Sequence, residues 1–401
     1  WNLPVICFVE NNSWGLSTPS EEQFKCKQFI DKGIGYGMEA IQMDGNNILE
    51  VIRTVRKITS EIRKNPKPVL LEAMTFRMRG HEESSGTKYY PDGLQDEWAI
   101  KDPLSNYETF LKEEGVLTDE IESEYRKALK DQIQSSFDMA QNEPLISSDE
   151  DKEEADVFAP YIQNVIEGKG QQKEIRFIDA IQQALNQSME RYPDLVLMGQ
   201  DIAEYGGAFK VTEGLVDSFG KGRVRNTPLC ESAIVGAGLG LSIKGMKAMV
   251  EMQFADFVTC GFNQIINNLA KIHWRWGQNA DVVVRMPTGA GTAAGPFHSQ
   301  SNEAWFFHTP GLKILYPSNP TDAKGLLNAA IEDPNPVLFF EHKYLYRSLK
   351  EEVPEAYYTT EIGKANLVSS GDDLTIVTYG LGVHWALEEM KNRPDIQAEI
   401  I

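Results

Sequence analysis

Two stretches of this 401-residue chain alternate short apolar runs with amphipathic segments, and this alternation is the feature that most limits its fold. In the first stretch, residues 3–9 and 68–73 are apolar runs of strand length, and residues 48–64 carry apolar side chains at helical spacing. Apolar strands that alternate with helices are typical of a parallel sheet with helices on both faces. The sequence therefore predicts an α/β fold with residues 3–9 as a buried parallel strand.

The second stretch begins near Ile175 and repeats this pattern over a longer distance. A helix is predicted through Leu185 and Met189 because their spacing keeps them on one face. The predicted strands that follow are residues 195–199, 248–250, 282–284, 312–315 and 337–340. Residues 373–380 predict the first strand of a third α/β domain, of which we expect only the start.

An acidic run at residues 147–154 separates the two stretches and contains almost no apolar side chains. Such a composition is typical of a solvated linker, because it offers little surface to bury. We therefore expect a first domain over residues 1–145, a linker over 146–173, a second domain over 174–355, and a third that starts within 356–401.

Composition excludes several classes of protein. The net charge of −20 and the isoelectric point near 4.8 argue against a nucleic-acid partner, which requires clustered basic side chains. The 4 cysteines are scattered and form no CxxC pair, so neither a zinc site nor a disulfide framework is indicated. No apolar run approaches the roughly 20 residues that span a bilayer, and no signal peptide opens the chain. We expect a cytoplasmic protein outside the membrane.

Two candidate sites follow predicted strands of the first stretch, at the sheet edge where open parallel sheets bind ligands. In residues 10–17, the side chain of Asn12 and a nearby main-chain carbonyl suit Mg²⁺, although these residues taken alone favour ordinary turn chemistry. In residues 77–83, two arginines and His81 could grip an anion. A surface loop paired with Glu82 and Glu83 explains that segment equally well.

Two further candidates lie in the second stretch. Glu231 is flanked by apolar side chains and should be partly desolvated, which suits a carboxylic acid that hands a proton to a ring nitrogen. An acidic residue that merely begins a helix is the simpler interpretation. His298 lies in a glycine-rich loop after a predicted strand, a setting for acid-base or orienting work, although a lone loop histidine is more often structural.

Taken together, these segments resemble the thiamine-diphosphate-dependent 2-oxo acid dehydrogenases, the decarboxylating components whose alpha and beta subunits share an active site. The part before residue 103 resembles the later part of an alpha subunit, and residues 175–348 resemble a beta subunit, as if both were fused. The motifs that carry the resemblance are residues 10–12, 44–46, 101–103, 205–209, 227–231, 253–257, 298–301 and 303–306. The resemblance implies the thiamine-diphosphate-binding fold.

The resemblance also implies roles for single residues. Glu231 would hydrogen-bond the pyrimidine ring of the cofactor, and His298 would act at the substrate during acyl transfer. The remaining implied positions are the Mg²⁺ ligands Asn12 and Trp14 (through its main-chain oxygen), His81 at the diphosphate and thiazolium, and Leu229, Gln253 and Phe257 around the pyrimidine ring. Phe257 stands where branched-chain members commonly have Tyr, so a hydroxyl contact is lost there.

The implied reaction is decarboxylation of a 2-oxo acid, followed by reductive acyl transfer to the lipoyl group of a partner acyltransferase. Residues 228–231 and 253–256 look more like branched-chain members, so 3-methyl-2-oxobutanoate is favoured, with pyruvate second. A transketolase-like enzyme is a weaker candidate, and a non-catalytic binding scaffold is the candidate from a different functional class. In the family a Gly-Asp-Gly segment completes the Mg²⁺ site, and we expect it to precede Trp1. A fused chain is expected to form a homodimer.

Overall fold

The computed structural model describes residues 2–82 and 84–401, and the chain divides into two compact units, Trp1–Leu145 and Ile146–Ile401. The expected linker over residues 146–173 thus belongs to the second unit. Part of the acidic run is not irregular, because Glu150–Ala155 forms a short helix capped by the Asp149 carboxylate. The domain boundaries at residues 173 and 355 stay predictions.

The first unit contains a parallel sheet with strand order β1-β5-β4. Its buried core lies between β4, β5 and α3, and it includes Met43, Ile58 and Leu71. The elements are β1 (Ile6–Asn11), β2 (Trp14–Gly15), β3 (Thr18–Pro19), α1 (Ser20–Gln23), α2 (Asp31–Tyr36), β4 (Glu39–Asp44), α3 (Ile48–Lys64), β5 (Val69–Met74), α4 (Leu94–Ala99), α5 (Pro103–Glu113) and α6 (Asp119–Asn142).

The prediction of a buried first strand was wrong in one respect. β1 is parallel to β5, as expected, but none of its six side chains is buried and Phe8 is 44% exposed. β1 lies at the edge of the three-stranded sheet, whereas the central strand β5 is buried along five of its six positions. An apolar run of strand length therefore did not distinguish an edge strand from a central one.

The second unit is built on a six-stranded parallel sheet with strand order β11-β12-β10-β9-β7-β8. Two apolar clusters cover it, one centred on α8 and α12 and the other on α10. Its elements are α7 (Glu150–Ala155), β6 (Gln172–Arg176), α8 (Phe177–Arg191), β7 (Val196–Gly199), α9 (Leu215–Phe219), β8 (Val224–Asn226), α10 (Glu231–Ile243), β9 (Ala248–Glu251), α11 (Ile272–Trp276), β10 (Val282–Thr288), β11 (Lys313–Leu315), α12 (Pro320–Glu332), β12 (Val337–His342), α13 (Leu345–Ser348), β13 (Lys350–Pro354), β14 (Leu374–Ile376), α14 (Leu381–Asn392) and β15 (Ala398–Ile400).

Short 3₁₀ segments at Ala255–Gly261, Pro296–His298 and Glu303–Trp305 follow β9 and β10, and a π-helical turn spans Gln264–Leu269. The pattern of parallel strands with helices confirms the predicted α/β class. Beyond it, β14 and β15 pair in parallel around α14, so the element predicted at residues 373–380 opens a small α/β arrangement of its own.

A buried ion cluster holds the central strands of the large sheet together. The Arg285 guanidinium on β10 donates two hydrogen bonds of 2.6 Å to the Glu341 carboxylate on β12, and it also bonds Glu251 on β9. Burial alone would lower the pKa of Arg285, but the two carboxylates raise it above its ordinary value. The cluster therefore joins the three neighbouring strands β9, β10 and β12 through their side chains.

Within residues 2–82 and 84–401, none of the helices has the length and apolar character needed to cross a membrane.

Candidate functional site

Glu231 lies where the start of α10 contacts the carboxyl end of β7. Glu231 is the first residue of α10 and is partly buried. Thr227 N–H donates to the Gly199 carbonyl at 2.9 Å, which ties the segment before α10 to the end of β7. Gln200, the residue that follows this strand, donates through Nε2 to Glu231 Oε1 at 2.9 Å. The carboxyl group is thus held in place by a neutral amide.

A second contact fixes Gln253, which follows β9. Its Nε2 donates to Asp201 Oδ2 at 3.0 Å, so the ends of the neighbouring strands β7 and β9 are joined. Asp201 has φ of 58°, a left-handed conformation that is uncommon for a non-glycine residue. The turn after β7 therefore presents Gln200 and Asp201 in different directions, one towards Glu231 and one towards Gln253.

His298 lies against an aromatic wall. Its ring meets Phe254 at a centroid distance of 4.8 Å and Phe257 at 5.5 Å, both nearly perpendicular. Such edge-to-face contacts favour one orientation of the imidazole. Phe257 follows β9 and His298 follows β10, so these two predicted site residues come together at the carboxyl ends of neighbouring strands.

The loop that carries His298 is anchored by Asp256. Oδ1 of this carboxylate accepts from the Gln300 main-chain N–H at 3.1 Å and from Gln300 Nε2 at 3.0 Å. Gly289 opens the loop with φ of 84°, and an added Cβ there would lie 2.2 Å from His342 Nε2. Only glycine allows the loop to leave β10 so close to β12.

Two titratable side chains at the end of β12 lie behind the aromatic wall. The Lys343 ammonium lies 5.4 Å from the Phe254 ring centroid, and burial lowers the pKa of Lys343 to about 8. Burial, helped by the neighbouring Lys343 charge, lowers the pKa of His342 to about 4. His342 is therefore neutral near pH 7, whereas Lys343 places a positive charge near the Phe254 ring.

The apolar surroundings expected for Glu231 are only partly present. Ile234 is buried at 2% exposure, whereas Leu229 is 81% exposed and Cys230 is also exposed. The Leu229 side chain is not packed into the core of the second unit. Its contact with the pyrimidine ring stays a prediction.

In the first unit, Asn12 and Trp14 lie in one turn directly after β1. Asn12 Oδ1 accepts from the Trp14 main-chain N–H at 2.9 Å, and Asn11 Oδ1 accepts from Ser13 N–H at 2.8 Å. These are the turn hydrogen bonds typical of Asn, which supports the simpler interpretation of the segment. An amide oxygen that accepts one N–H still has a second lone pair, so Asn12 can also ligate a cation.

Arg77 brings the segment around His81 to the same turn. Its Nη2 donates to the Leu16 carbonyl and to the Tyr89 hydroxyl, each at 2.9 Å, and its Nη1 lies 3.3 Å from His81 Nδ1. The hydrogen bond to Tyr89 raises the pKa of Arg77. Arg77 thus connects the loops after β1 and β5 through hydrogen bonds, and its Nη2 donors are already used within the protein and do not point to a free anion site. His81 itself is exposed, and Glu83, one of its expected salt-bridge partners, lies outside the described residues.

The residues present fit the two groups that the predicted site requires. Gln200 is 4% exposed, and its Oε1 lacks a hydrogen-bond partner in the described part of the chain, as expected beside a site for a polar ring. Within residues 2–82 and 84–401, no group of three His, Cys, Asp or Glu side chains could hold a metal. An amide oxygen and a main-chain carbonyl are ligand types that suit Mg²⁺, which shares its shell with phosphate and water.

Comparison with known proteins gives the family. The family described as dehydrogenase E1 component matches residues 1–148, and the transketolase pyrimidine-binding domain matches residues 173–348. The 2-oxoisovalerate dehydrogenase subunit beta of Bacillus subtilis is 49% identical over 229 residues, which are 56% of this chain and 70% of that protein. The chain belongs to the thiamine-diphosphate-dependent 2-oxo acid dehydrogenase family. The resemblance predicted from the sequence, with alpha-type and beta-type segments in one polypeptide, is confirmed.

Other members of the family differ in the substrate that their names state. The pyruvate dehydrogenase E1 component subunit beta of Mycoplasma pneumoniae is 45% identical over 205 residues, which are 51% of this chain and 63% of that protein. The chain spans from 59% to 70% of the length of the curated relatives compared. A split-gene transketolase, described as an inactive beta4 tetramer, aligns at 20% identity with a TM-score of 0.44, covering 56% of this chain and 69% of that one.

Sequence reasoning did not find Gln200, Asp201, Phe254 or Lys343. A signal was present for the first two, because they directly follow the predicted strand at residues 195–199, where ligand-binding side chains of parallel sheets are expected. The same signal was present for Phe254, which lies in the motif at residues 253–257, and for Lys343, because both follow predicted strands, but it does not say which side chains lie beside His298.

Proposed function

We propose that the protein catalyses oxidative decarboxylation of a branched-chain 2-oxo acid of the 3-methyl-2-oxobutanoate type. The acyl group passes to the lipoyl group of a partner acyltransferase, and thiamine diphosphate with Mg²⁺ is the cofactor. The observation that carries the proposal is the placement of Glu231 at the carboxyl end of the large sheet, held by Gln200 and next to the ends of β7 and β9. The 49% identity to a 2-oxoisovalerate dehydrogenase subunit supports the choice of substrate.

The side chains divide the work between binding and proton transfer. Thiamine diphosphate, when bound, supplies the electron sink for decarboxylation. Glu231 would exchange a proton with the pyrimidine ring, while Gln253, Leu229 and Phe257 would pack around that ring. In the first unit, Asn12 and the Trp14 carbonyl would hold Mg²⁺, and His81 would face the diphosphate and thiazolium.

His298 acts at the substrate end. Its ring is steered by the contacts with Phe254 and Phe257 and not by a side-chain hydrogen bond that the structure describes. The imidazole is therefore oriented while both ring nitrogens stay available to exchange protons. We assign it to proton transfer during acyl transfer to the lipoyl group.

Pyruvate is the second candidate substrate, because several relatives of similar identity are named pyruvate dehydrogenase subunits. Turnover of 3-methyl-2-oxobutanoate and of pyruvate by the intact protein decides between them. We expect kcat/KM to be at least about tenfold higher for the branched acid, since two additional methyl groups in an apolar pocket contribute about 1–3 kcal/mol. Equal or higher values for pyruvate would reassign the substrate.

The variant Glu231→Gln tests the enzymatic role. It removes the exchangeable proton while keeping the shape of the side chain, so decarboxylation should fall by at least about 100-fold. Glu352→Gln is a matched control, because Glu352 is an exposed glutamate of the same unit. If Glu231→Gln keeps full turnover and an unchanged circular dichroism spectrum, the enzymatic proposal fails and a scaffold role is favoured.

A further inference from the structure

We propose that Gln200 is a positioning residue that holds Oε1 of Glu231 and thereby leaves Oε2 as the oxygen that exchanges the proton with the pyrimidine ring. This inference rests on the function proposed above. Gln200 is the residue that directly follows β7, and its Nε2 donates to Glu231 Oε1 at 2.9 Å. An oxygen that accepts an N–H from the amide is poorly placed to carry a proton of its own on that side. The proton of Glu231 is therefore directed to Oε2.

The surroundings of Gln200 indicate that its side chain serves Glu231 and not the fold. The residue is 4% exposed, and its Oε1 has no hydrogen-bond partner within residues 2–82 and 84–401. A buried amide placed for stability is normally paired at both ends, because an unpaired polar atom is costly. The hydrogen bond that the structure describes for this side chain goes to Glu231, and the amide nitrogen of Gln200 is the donor.

The backbone fixes the direction of the amide. Gly199 accepts the Thr227 N–H at 2.9 Å on one side of Gln200, and Asp201 on the other side accepts from Gln253 at 3.0 Å. Gln200 is therefore anchored through both of its chain neighbours. One of these anchors joins the segment leading to Glu231, so Gln200 and Glu231 are held together independently of their own hydrogen bond.

The chemistry at position 200 also matters because the amide is neutral. A carboxylate at this distance from Glu231 would share a proton with it, since two carboxylates in contact do not both ionise readily. An amide donor instead holds one oxygen of Glu231 without adding a second charge. Glu231 can then give up and regain its proton without a competing acid beside it.

Two variants of the intact protein test the inference. Gln200→Leu removes the donor, so kcat should fall by at least about tenfold through misdirection of Glu231. KM for the 2-oxo acid and the dissociation constant of thiamine diphosphate should change less than about threefold, because ground-state binding is untouched. A merely structural role would instead lower stability and leave kcat of the folded fraction unchanged.

Gln200→Glu gives a readout that needs neither cofactor nor turnover. The paired carboxyls should retain one proton at neutral pH, which infrared spectroscopy detects as a protonated carboxyl band that is absent from the unmodified protein. Gln171→Glu, at an exposed position of the same unit, is the matched control and should give no such band. If Gln200→Leu fails to fold, this measurement still decides the question.

The outcomes separate the two proposals. If the Glu231→Gln variant keeps full turnover, the proposed function itself is refuted. Loss of turnover in Glu231→Gln with unchanged kcat in Gln200→Leu, or no retained proton in Gln200→Glu, would overturn only the role of Gln200.

Discussion

Replacement of Arg285 by Met should strongly destabilise the second unit. Arg285 is 1% exposed, and it is paired with Glu251 and Glu341, whose side chains are 3% and 0% exposed. Methionine fills most of the volume of the arginine stem but carries no charge. Glu251 and the Tyr346 hydroxyl, which accepts from Nη2 at 3.2 Å, would lose the arginine donor, and Glu341 would keep the hydrogen bond of 2.5 Å from Tyr346 but lose both bonds from the guanidinium.

The magnitude follows from this burial. Removing one partner of a buried ion cluster costs about 3–5 kcal/mol, because the remaining charge stays in a poorly solvating environment. For a unit of this size, each kcal/mol lowers the thermal midpoint by about 2–4 °C. We therefore expect a fall of about 6–20 °C, measured by circular dichroism at one scan rate for all variants.

The control is Arg393→Met, because Arg393 pairs with Asp395 at 3.1 Å on the surface of the same unit. Surface pairs contribute little, so this midpoint should stay almost unchanged. Adding Glu251→Gln and Glu341→Gln to Arg285→Met removes the uncompensated charges and should recover part of the loss. Equal midpoints for Arg285→Met and Arg393→Met would refute the argument that the cluster locks the three strands.

Three further predictions concern other parts of the chain. The pKa of His342 is lowered from 6.5 to about 4, so its contribution to stability is present above about pH 6.5 and is lost as the pH falls towards 4. The difference in thermal midpoint between the unmodified protein and His342→Gln should shrink across that window, and a pH-independent difference would contradict this. Asn12→Leu removes a proposed oxygen ligand, so the Mg²⁺ concentration needed for half-maximal activity should rise by about tenfold or more. An unchanged Mg²⁺ concentration at half-maximal activity would show that Asn12 is not a ligand. Asn47→Ala should destabilise α3 by about 1 kcal/mol, because the Asn47 side chain caps the Glu50 N–H at 3.2 Å, and urea denaturation of the first unit measures this.

The sequence predicted the long, strongly patterned elements well. Apolar runs located the central strands β5, β7, β9, β10 and β12, and helical spacing predicted α3 with the bounds it has. The sequence did not reveal β4 or β8, because β4 has only three apolar side chains, neither continuous nor alternating, and β8 has only three residues, Val224–Asn226. Edge placement of β1 also depends on strand order, which no local pattern contains.

The candidate site was predicted as residue types and not as contacts. Placing Glu231 and His298 after strands follows from the rule that parallel sheets bind ligands at their carboxyl ends. Their partners are distant in sequence: Gln200 is 31 residues from Glu231, and Asp201 is 52 residues from Gln253. Such pairs depend on strand order and register, so only the folded chain identifies Gln200 and Asp201 as members of the site.

The most direct test of the account is the rate at which the C2 hydrogen of thiamine diphosphate exchanges with deuterium on the intact protein. If Glu231 drives proton transfer through the pyrimidine ring, exchange should be fast in the unmodified protein and at least about 100-fold slower in Glu231→Gln with cofactor still bound. Equal exchange rates in the two proteins would contradict the role assigned to this carboxyl group.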